Sequence, residues 1–377
     1  MVGVIFFLFF SFLFLCFCYS FYSLLGGGGV VPNFFGLGVT AGSWAERLAM
    51  VSPSVGLLFY QSDTDEFLKF CVDDDGVSRW MQAELRPARN LLINGSMGVW
   101  QRGNSINAGG GGASTYAQDR WCFGNNGGWV FNMSRVTNVP SSRFLYSGRI
   151  TATNAVANGL NGWEQFVEQR NMLFARGKYV TLSFWIRGSK AFSGPCYVDT
   201  GTTVDQNPGN GNGFTGGVTL VNQTVNITTS WQKVVFTSSV VVPTNANVLR
   251  VGLPKPSFVQ NDFYEVTGVQ LEVGTAPSEF EFLPYERELM SCMRYYERVS
   301  ASSRHYTSDG YWGINFPFKV EKRTGSYSWA VVSTGNSSGL TLGPVFNTVY
   351  AMGLQSNPVA AGTYYMYGYT VEISAEL

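Results

Sequence analysis

The 377 residues include a single histidine, His305, so a Ser/His/Asp or Cys/His nucleophilic scheme would hang on that one side chain. A multi-histidine zinc site is excluded on the same count. His305 sits in loop-like sequence with Asp262, Asp309, Tyr306 and Tyr311, and nothing couples it to a nucleophile. Six cysteines (Cys16, Cys18, Cys71, Cys122, Cys196, Cys292) show no CxxC and no dense framework, which reads as buried free thiols made in a reducing cytoplasm. Glu164 and Glu168 are the most suggestive carboxylate pair for glycosidase chemistry, because in an extended strand they share a face; a scaffold role for Glu168 is the stronger reading. Asp73-Asp74-Asp75-Gly76 lacks the alternate spacing and distal Glu of an EF-hand and reads as a turn. Ten tryptophans supply flat apolar planes of the kind that stack on sugar rings. Trp121, Trp129 and Trp163 are flanked by Gly or Asn and read as loop positions, whereas Trp185 and Trp231 read as mid-strand core. Ser302 to Trp312 reads as an exposed polar and aromatic loop suited to binding.

These side chains must be positioned by β-structure. Charged residues are only 13% and balance at 25 of each sign, which excludes a basic nucleic-acid binder. Aromatics at 15% and 44 glycines favour buried strands joined by glycine turns over a helical bundle. Residues 55–60, 67–72 and 77–82 read as a small meander, and 84–89 with Pro87 as a linker. Further strands are predicted at 129–133, 146–152, 179–187, 218–225, 231–236, 248–253 and 263–273, spaced as in an antiparallel sandwich or jelly roll. Val180, Leu182, Phe184 and Ile186 alternate onto one face. The period changes at 286–298, where a short helix is predicted, and 301–377 return to a β-pattern. The fold class expected is therefore all-β: sandwich domains in series, an apolar N-terminal segment and one short helix. The segments are 1–40, 41–84, 85–285 and 286–377.

No charge precedes Glu46, and residues 4–25 form an apolar run long enough to cross a bilayer, which takes about 20 residues. A signal peptide would want a basic start and a small-residue cleavage site, and both are missing. Burial of the run between identical chains is the third reading.

Several motifs in order carry a family likeness. Asn90 to Gly95, Val99-Trp100-Gln101-Arg102-Gly103 and Asp119-Arg120-Trp121 open the series. Glu168-Gln169-Arg170, Gly177 to Trp185, Trp231-Gln232 and Gly268 to Gly274 follow. Pro277 to Tyr285, Glu288-Leu289, Cys292 with Arg294-Tyr295-Tyr296, and a closing Ala375-Glu376-Leu377 complete it. Together they resemble a carbohydrate-binding-module-like domain of bacteriophage tail fibres, and Pro53 to Tyr60 with Asp63-Thr64-Asp65, Gly76 and Trp80 is similar to a small module of such fibres. The resemblance implies a virion protein made in the host bacterial cytoplasm. It implies a homotrimer whose residues 1–40 attach to phage tail or baseplate proteins, and whose distal β-domains bind host-surface polysaccharide without enzymatic activity. Its candidate glycan contacts are Trp121, Trp129, Trp163, His305, Tyr306 and Tyr311. A structural calcium of the kind jelly rolls hold would draw on Glu272, whose simpler reading is an edge carboxylate. A membrane-anchored lectin and a tailspike-type depolymerase are the alternatives.

Overall fold

The computed structural model of the chain describes residues 39–83, 90–109, 115–124, 130–154, 162–208, 213–255, 257–307, 313–333, 336–337, 342–356 and 362–376. The apolar run at 4–25 lies outside them. Among the described residues no helix is long and apolar enough to cross a membrane. The chain divides into two compact units, Met1–Leu85 and Arg86–Leu377.

In the first unit, β1 (Val39–Gly42), α1 (Trp44–Leu48), β2 (Leu58–Gln61), β3 (Glu66–Val72) and β4 (Ser78–Gln82) build a four-stranded sheet in the order β1-β2-β3-β4. The predicted meander is β2 to β4, and β1 adds to it in parallel. A parallel neighbour requires a crossover, and α1 provides one. It is started by a Ser43/Glu46 capping box, and the Trp44 N–H donates to Asp63 at 2.9 Å. Phe59 and Leu68 are buried on one face of the sheet, where Trp80 is set edge-on to Phe59 and Phe70, and Met81 is buried on the other face beside Cys71. Arg79 donates to both Asp73 and Asp75, so the aspartate run is a turn closed by a guanidinium.

The second unit begins with a sandwich. Its strands are β5 (Ser105–Gly109), β6 (Thr115–Tyr116), β7 (Cys122–Gly124), β8 (Val130–Val136), β9 (Ser147–Ala152), β10 (Gly162–Glu168), β11 (Val180–Gly188), β12 (Phe192–Gly201), β13 (Val218–Ile227), β14 (Gln232–Thr237), β15 (Val248–Gly252) and β16 (Phe263–Val273), with α2 (Gln169–Met172) after β10. They form two six-stranded sheets, ordered β13-β12-β15-β10-β7-β6 and β14-β11-β16-β9-β8-β5, all pairs antiparallel. This is an all-β jelly-roll sandwich. Val180, Leu182, Phe184 and Ile186 face the core as their alternation requires. The intervening Thr181, Ser183 and Trp185 are buried too. Trp185 packs with Phe144 and Phe280 under chain that returns over the sheet, and the Thr181 hydroxyl donates to the Gly274 carbonyl at 2.8 Å. Sequence periodicity missed β12 because Gly194 and Pro195 interrupt it, a pairing that reads as a break.

The predicted helix is present as α3 (Tyr285–Met293) but ends short of residue 298. From Tyr296 the chain is strand, because Tyr296 to Thr307 pair with Gly362 to Ser374. Arg294, the C-cap residue of α3, pairs with Glu168, and Arg298, already on the strand, pairs with Glu372. The remaining strands are β17 (Tyr296–Thr307), β18 (Gly313–Pro317), β19 (Ser328–Ser333), β20 (Asn336–Ser337), β21 (Leu342–Asn347), β22 (Ala351–Ser356) and β23 (Gly362–Ser374). One sheet runs β17-β23-β19 with β20 also on β23, and the other runs β18-β22-β21. Phe316, Met352, Leu354 and Val371 are the buried centre of this part.

Candidate functional site

The structure places the predicted aromatic contacts differently from the sequence reading. Trp121 and Trp163 are fully buried, so neither can offer a ring face to a sugar. Trp121 donates its indole N–H to the Asn94 carbonyl at 3.0 Å. Trp163 lies in β10 against Gly148 of β9, where a Cβ would fall 2.6 Å from the ring, and it meets Tyr264 edge-on at 5.8 Å. The glycine that makes room for the Trp163 indole is Gly148 on the neighbouring strand, whereas the flanking Gly162 abuts Lys255 and the Pro254 carbonyl. Trp129, Tyr311 and Asp309 lie outside the described residues. His305 and Tyr306 are on strand β17, opposite Tyr364 and Thr363, and not on a loop.

Glu272 is likewise buried and is not an edge carboxylate. It accepts from the Ser278 N–H at 2.8 Å, the Ser278 hydroxyl at 2.6 Å and Gln270 Nε2 at 2.9 Å, which ties down the chain after β16. Those donors occupy the oxygens a calcium ion would need. Among the described residues no group of three or more His, Cys, Asp or Glu could hold a metal ion.

The residues that carry the family likeness, in contrast, converge. Arg102 and Arg120, from motifs near the start of the sandwich, both reach Glu376; the Arg102 pair measures 3.2 Å. Arg120 also donates to the Phe166 carbonyl at 2.5 Å and stacks 3.5 Å from the Tyr295 ring centroid. Arg102 stacks on Tyr296 at 3.6 Å, and Asp119 accepts the Gln101 N–H at 2.7 Å. Glu168 accepts from Arg294 at 2.9 Å and from the Tyr295 hydroxyl at 2.7 Å. The motifs thus assemble one buried ionic joint between the sandwich and the C-terminal sheet. Burial pushes the Glu168 carboxyl up, but Arg294 and Tyr295 outweigh it and hold it below its usual range.

Asp119 goes the other way: burial raises it to about 6 against the pull of Arg102. Its folded value lies above its unfolded one, so the native state holds the extra proton between about pH 4 and 6 and loses stability as pH rises through that window. The change corresponds to about 3 kcal/mol. Urea titrations of the wild-type chain and Asp119→Asn at pH 4 and pH 6.5 should show the decline in the first and not in the second; parallel behaviour of the two proteins counts against this assignment.

Two further clusters lie on the outward faces of the sandwich. On β10, β12 and β15, alternation turns Glu164, Tyr197, Asp199 and Arg250 outward while Trp163, Val198 and Val251 fill the core. Lys255 Nζ donates to Glu164 Oε1 at 2.5 Å and to the Tyr197 hydroxyl at 2.8 Å, and that hydroxyl donates to the same carboxylate oxygen. Arg250 pairs with Asp199 at 2.7 Å and lies 4.9 Å from the Tyr197 ring centroid. The ring rests flat on Gly252, where a Cβ would come within 2.2 Å of it. Glu164, Arg250 and Lys255 are recessed, Tyr197 and Asp199 are half-buried, and Asn222, Thr224 and Asn226 of the edge strand β13 stand exposed beside them. Burial pushes the Tyr197 hydroxyl well up, reinforced by Glu164, so it stays a protonated donor. Tyr197 and Asp199 escaped the sequence reading because β12 was not legible as a strand, and Arg250, on a legible strand, had no local signal of its partners. On the opposite sheet, Glu265 of β16 stands between Arg149 of β9 and Arg187 of β11.

Glu164 and Glu168 do share the outward face of β10, with backbones about 13 Å apart, but Glu164 is engaged by Lys255 and Tyr197 and Glu168 by Arg294 and Tyr295. Among the described residues Cys122, Cys196 and Cys292 are buried thiols that form no disulfide, and burial raises all three above the range of a reactive cysteine.

No family model matches the chain. No curated protein matches it either. Among solved structures it is similar to the enzymatically active domain of bacteriophage CBA120 tailspike protein 4, at 14% identity and a TM-score of 0.32, covering 50% of this chain and 22% of that one. It is also similar to the C-terminal family 22 carbohydrate-binding module of Clostridium thermocellum Xyn10B, at 15% identity and a TM-score of 0.29 over 51% of this chain and 99% of the module. A third similar structure is TmCBM61 in complex with β-1,4-galactotriose, at 15% identity and a TM-score of 0.26 over 50% and 100%.

Proposed function

We propose that the chain is a phage virion fibre protein, a homotrimer that attaches to tail or baseplate proteins through its N-terminal part and binds a host-surface glycan without cleaving it. The observation that carries the recognition half is the recessed face of Tyr197, Asp199, Arg250, Glu164 and Lys255. It combines a ring held flat over Gly252 with donors and acceptors already fixed by one another, so little side-chain entropy is lost on binding. Asn222, Thr224 and Asn226 extend the same face with amides and a hydroxyl for further sugar units. The non-enzymatic half is supported by the engagement of Glu164 with Lys255 and Tyr197 and of Glu168 with Arg294 and Tyr295. The attachment half rests on the likeness of the ordered motifs to those of phage fibre proteins.

Tyr197→Ala should weaken single-site binding to host-surface polysaccharide about tenfold, the scale of one lost aromatic contact with its hydrogen bonds. Repetition around a trimer would enlarge the effect on cell adsorption. Adsorption equal to wild type, with the thermal midpoint preserved, would falsify the assignment of this face. Release of reducing ends from the same polysaccharide would overturn the non-enzymatic reading.

A further inference from the structure

The outer surface of the second sandwich sheet carries a row that the proposed glycan face does not use. Ser134 of β8, Arg149 of β9, Glu265 of β16 and Arg187 of β11 are direct cross-strand partners, with Ser105 of β5 continuing the row. Glu265 is fully buried, whereas the arginine side chains are 31% and 24% exposed. Arg149 donates to Glu265 Oε1 through Nε at 2.8 Å and also through Nη2, and Arg187 Nε lies 2.7 Å from Oε2. Both guanidiniums also lie over one ring, Phe263, at 4.4 and 5.7 Å from its centroid. A neighbouring row of Asn107, Asn132, Thr151 and Phe263 runs alongside.

Two positive groups share one negative group, so the row carries a net charge of one positive unit on a chain that is neutral overall. The carboxylate takes one edge of the Arg149 guanidinium by hydrogen bonds and meets Arg187 only at Nε, as an ion pair without hydrogen-bond alignment. Arg187 Nη1 makes a long contact of 3.5 Å to the Thr229 carbonyl, while Arg149 Nη1 and Arg187 Nη2 find no acceptor among the described residues. The adjacent Lys190 is matched by Asp262 at 2.8 Å and adds no net charge. Buried Glu265 and the Phe263 ring hold the two forks in place, so their outward N–H groups are arranged before any ligand arrives.

We propose that this row is a second binding site, for a carboxylate-bearing saccharide. The sugar acid would be held by the outward edges of Arg149 and Arg187, and its hydroxyls by the amides and hydroxyls of the neighbouring row. The site stands on the sheet opposite Tyr197 and does not depend on the reading given to that face.

The test uses the full chain with a galacturonate oligomer, a galactose oligomer of equal length and inorganic phosphate as probes. The wild-type chain should bind the galacturonate oligomer at least tenfold more tightly than the galactose oligomer, with the preference shrinking as salt is raised. Tyr197→Ala should keep that preference. The triple variant Arg149→Gln, Arg187→Gln, Glu265→Gln removes the buried charge together with its partners and should abolish it. A second readout on the unmodified chain is labelling by an arginine-directed dicarbonyl, mapped by peptide mass spectrometry. The galacturonate oligomer should protect Arg149 and Arg187 several-fold more than the galactose oligomer does. Equal binding of the two oligomers, equal labelling with both, or protection by phosphate as strong as by the galacturonate oligomer would each overturn the proposal.

Discussion

Replacing Glu376 by alanine should cost about 3–5 kcal/mol of stability in the second unit, the range found when one member of a buried ion pair is removed. The carboxylate is 5% exposed and meets Arg120, itself 2% exposed, and Arg102, at 12%. Burial alone pulls the Arg120 guanidinium down, and Glu376 with Tyr295 and Tyr116 more than restores it. Without Glu376 that cation keeps the Phe166 carbonyl and the Tyr295 ring but loses its counter-charge. Urea unfolding followed by tryptophan fluorescence measures the effect, and a loss under about 1 kcal/mol would mean that the joint is solvated and weak. The double variant Arg120→Met, Glu376→Leu should recover most of the loss, because an apolar pair of similar volume leaves no orphan charge.

Trp163→Ala should destabilise the sandwich by about 3–5 kcal/mol, as large-to-small changes of a buried indole do. The ring is wholly enclosed, packed on Gly148 and edge-on to Tyr264, so its removal leaves a cavity that the two sheets cannot close without moving. Glycan affinity measured on the folded fraction should stay within twofold of wild type. A stable variant that has lost binding would reverse the roles assigned to Trp163 and Tyr197.

Much of the architecture was legible because strand alternation and turn chemistry act over a few residues. Seven of the sandwich strands fall where Val130–Val136, Ser147–Ala152, Val180–Gly188, Val218–Ile227, Gln232–Thr237, Val248–Gly252 and Phe263–Val273 show their pattern. The Asp73-Asp74-Asp75-Gly76 turn was equally local, since its shape needs only its own residues and Arg79 six positions on. The candidate site was mostly hidden. Glycine beside tryptophan reads as a loop in one dimension, yet at Trp163 the glycine that matters is Gly148 on the neighbouring strand, placed there by sheet order.

The sequence by itself determined the all-β class, the inward faces of the legible strands, and the absence of a charge pattern suited to nucleic acid, because composition and a period of two residues set these properties. Only the tertiary structure decided which outward residues meet. Glu164, Tyr197 and Arg250 come from three strands, and Arg149, Glu265 and Arg187 from three others, each trio made adjacent by cross-strand register. The tertiary structure also decided that Arg102, Arg120 and Glu376 share one buried joint. Electrostatic and stacking contacts act over a few ångströms of space, and the fold alone brings residues so distant in the chain to that separation.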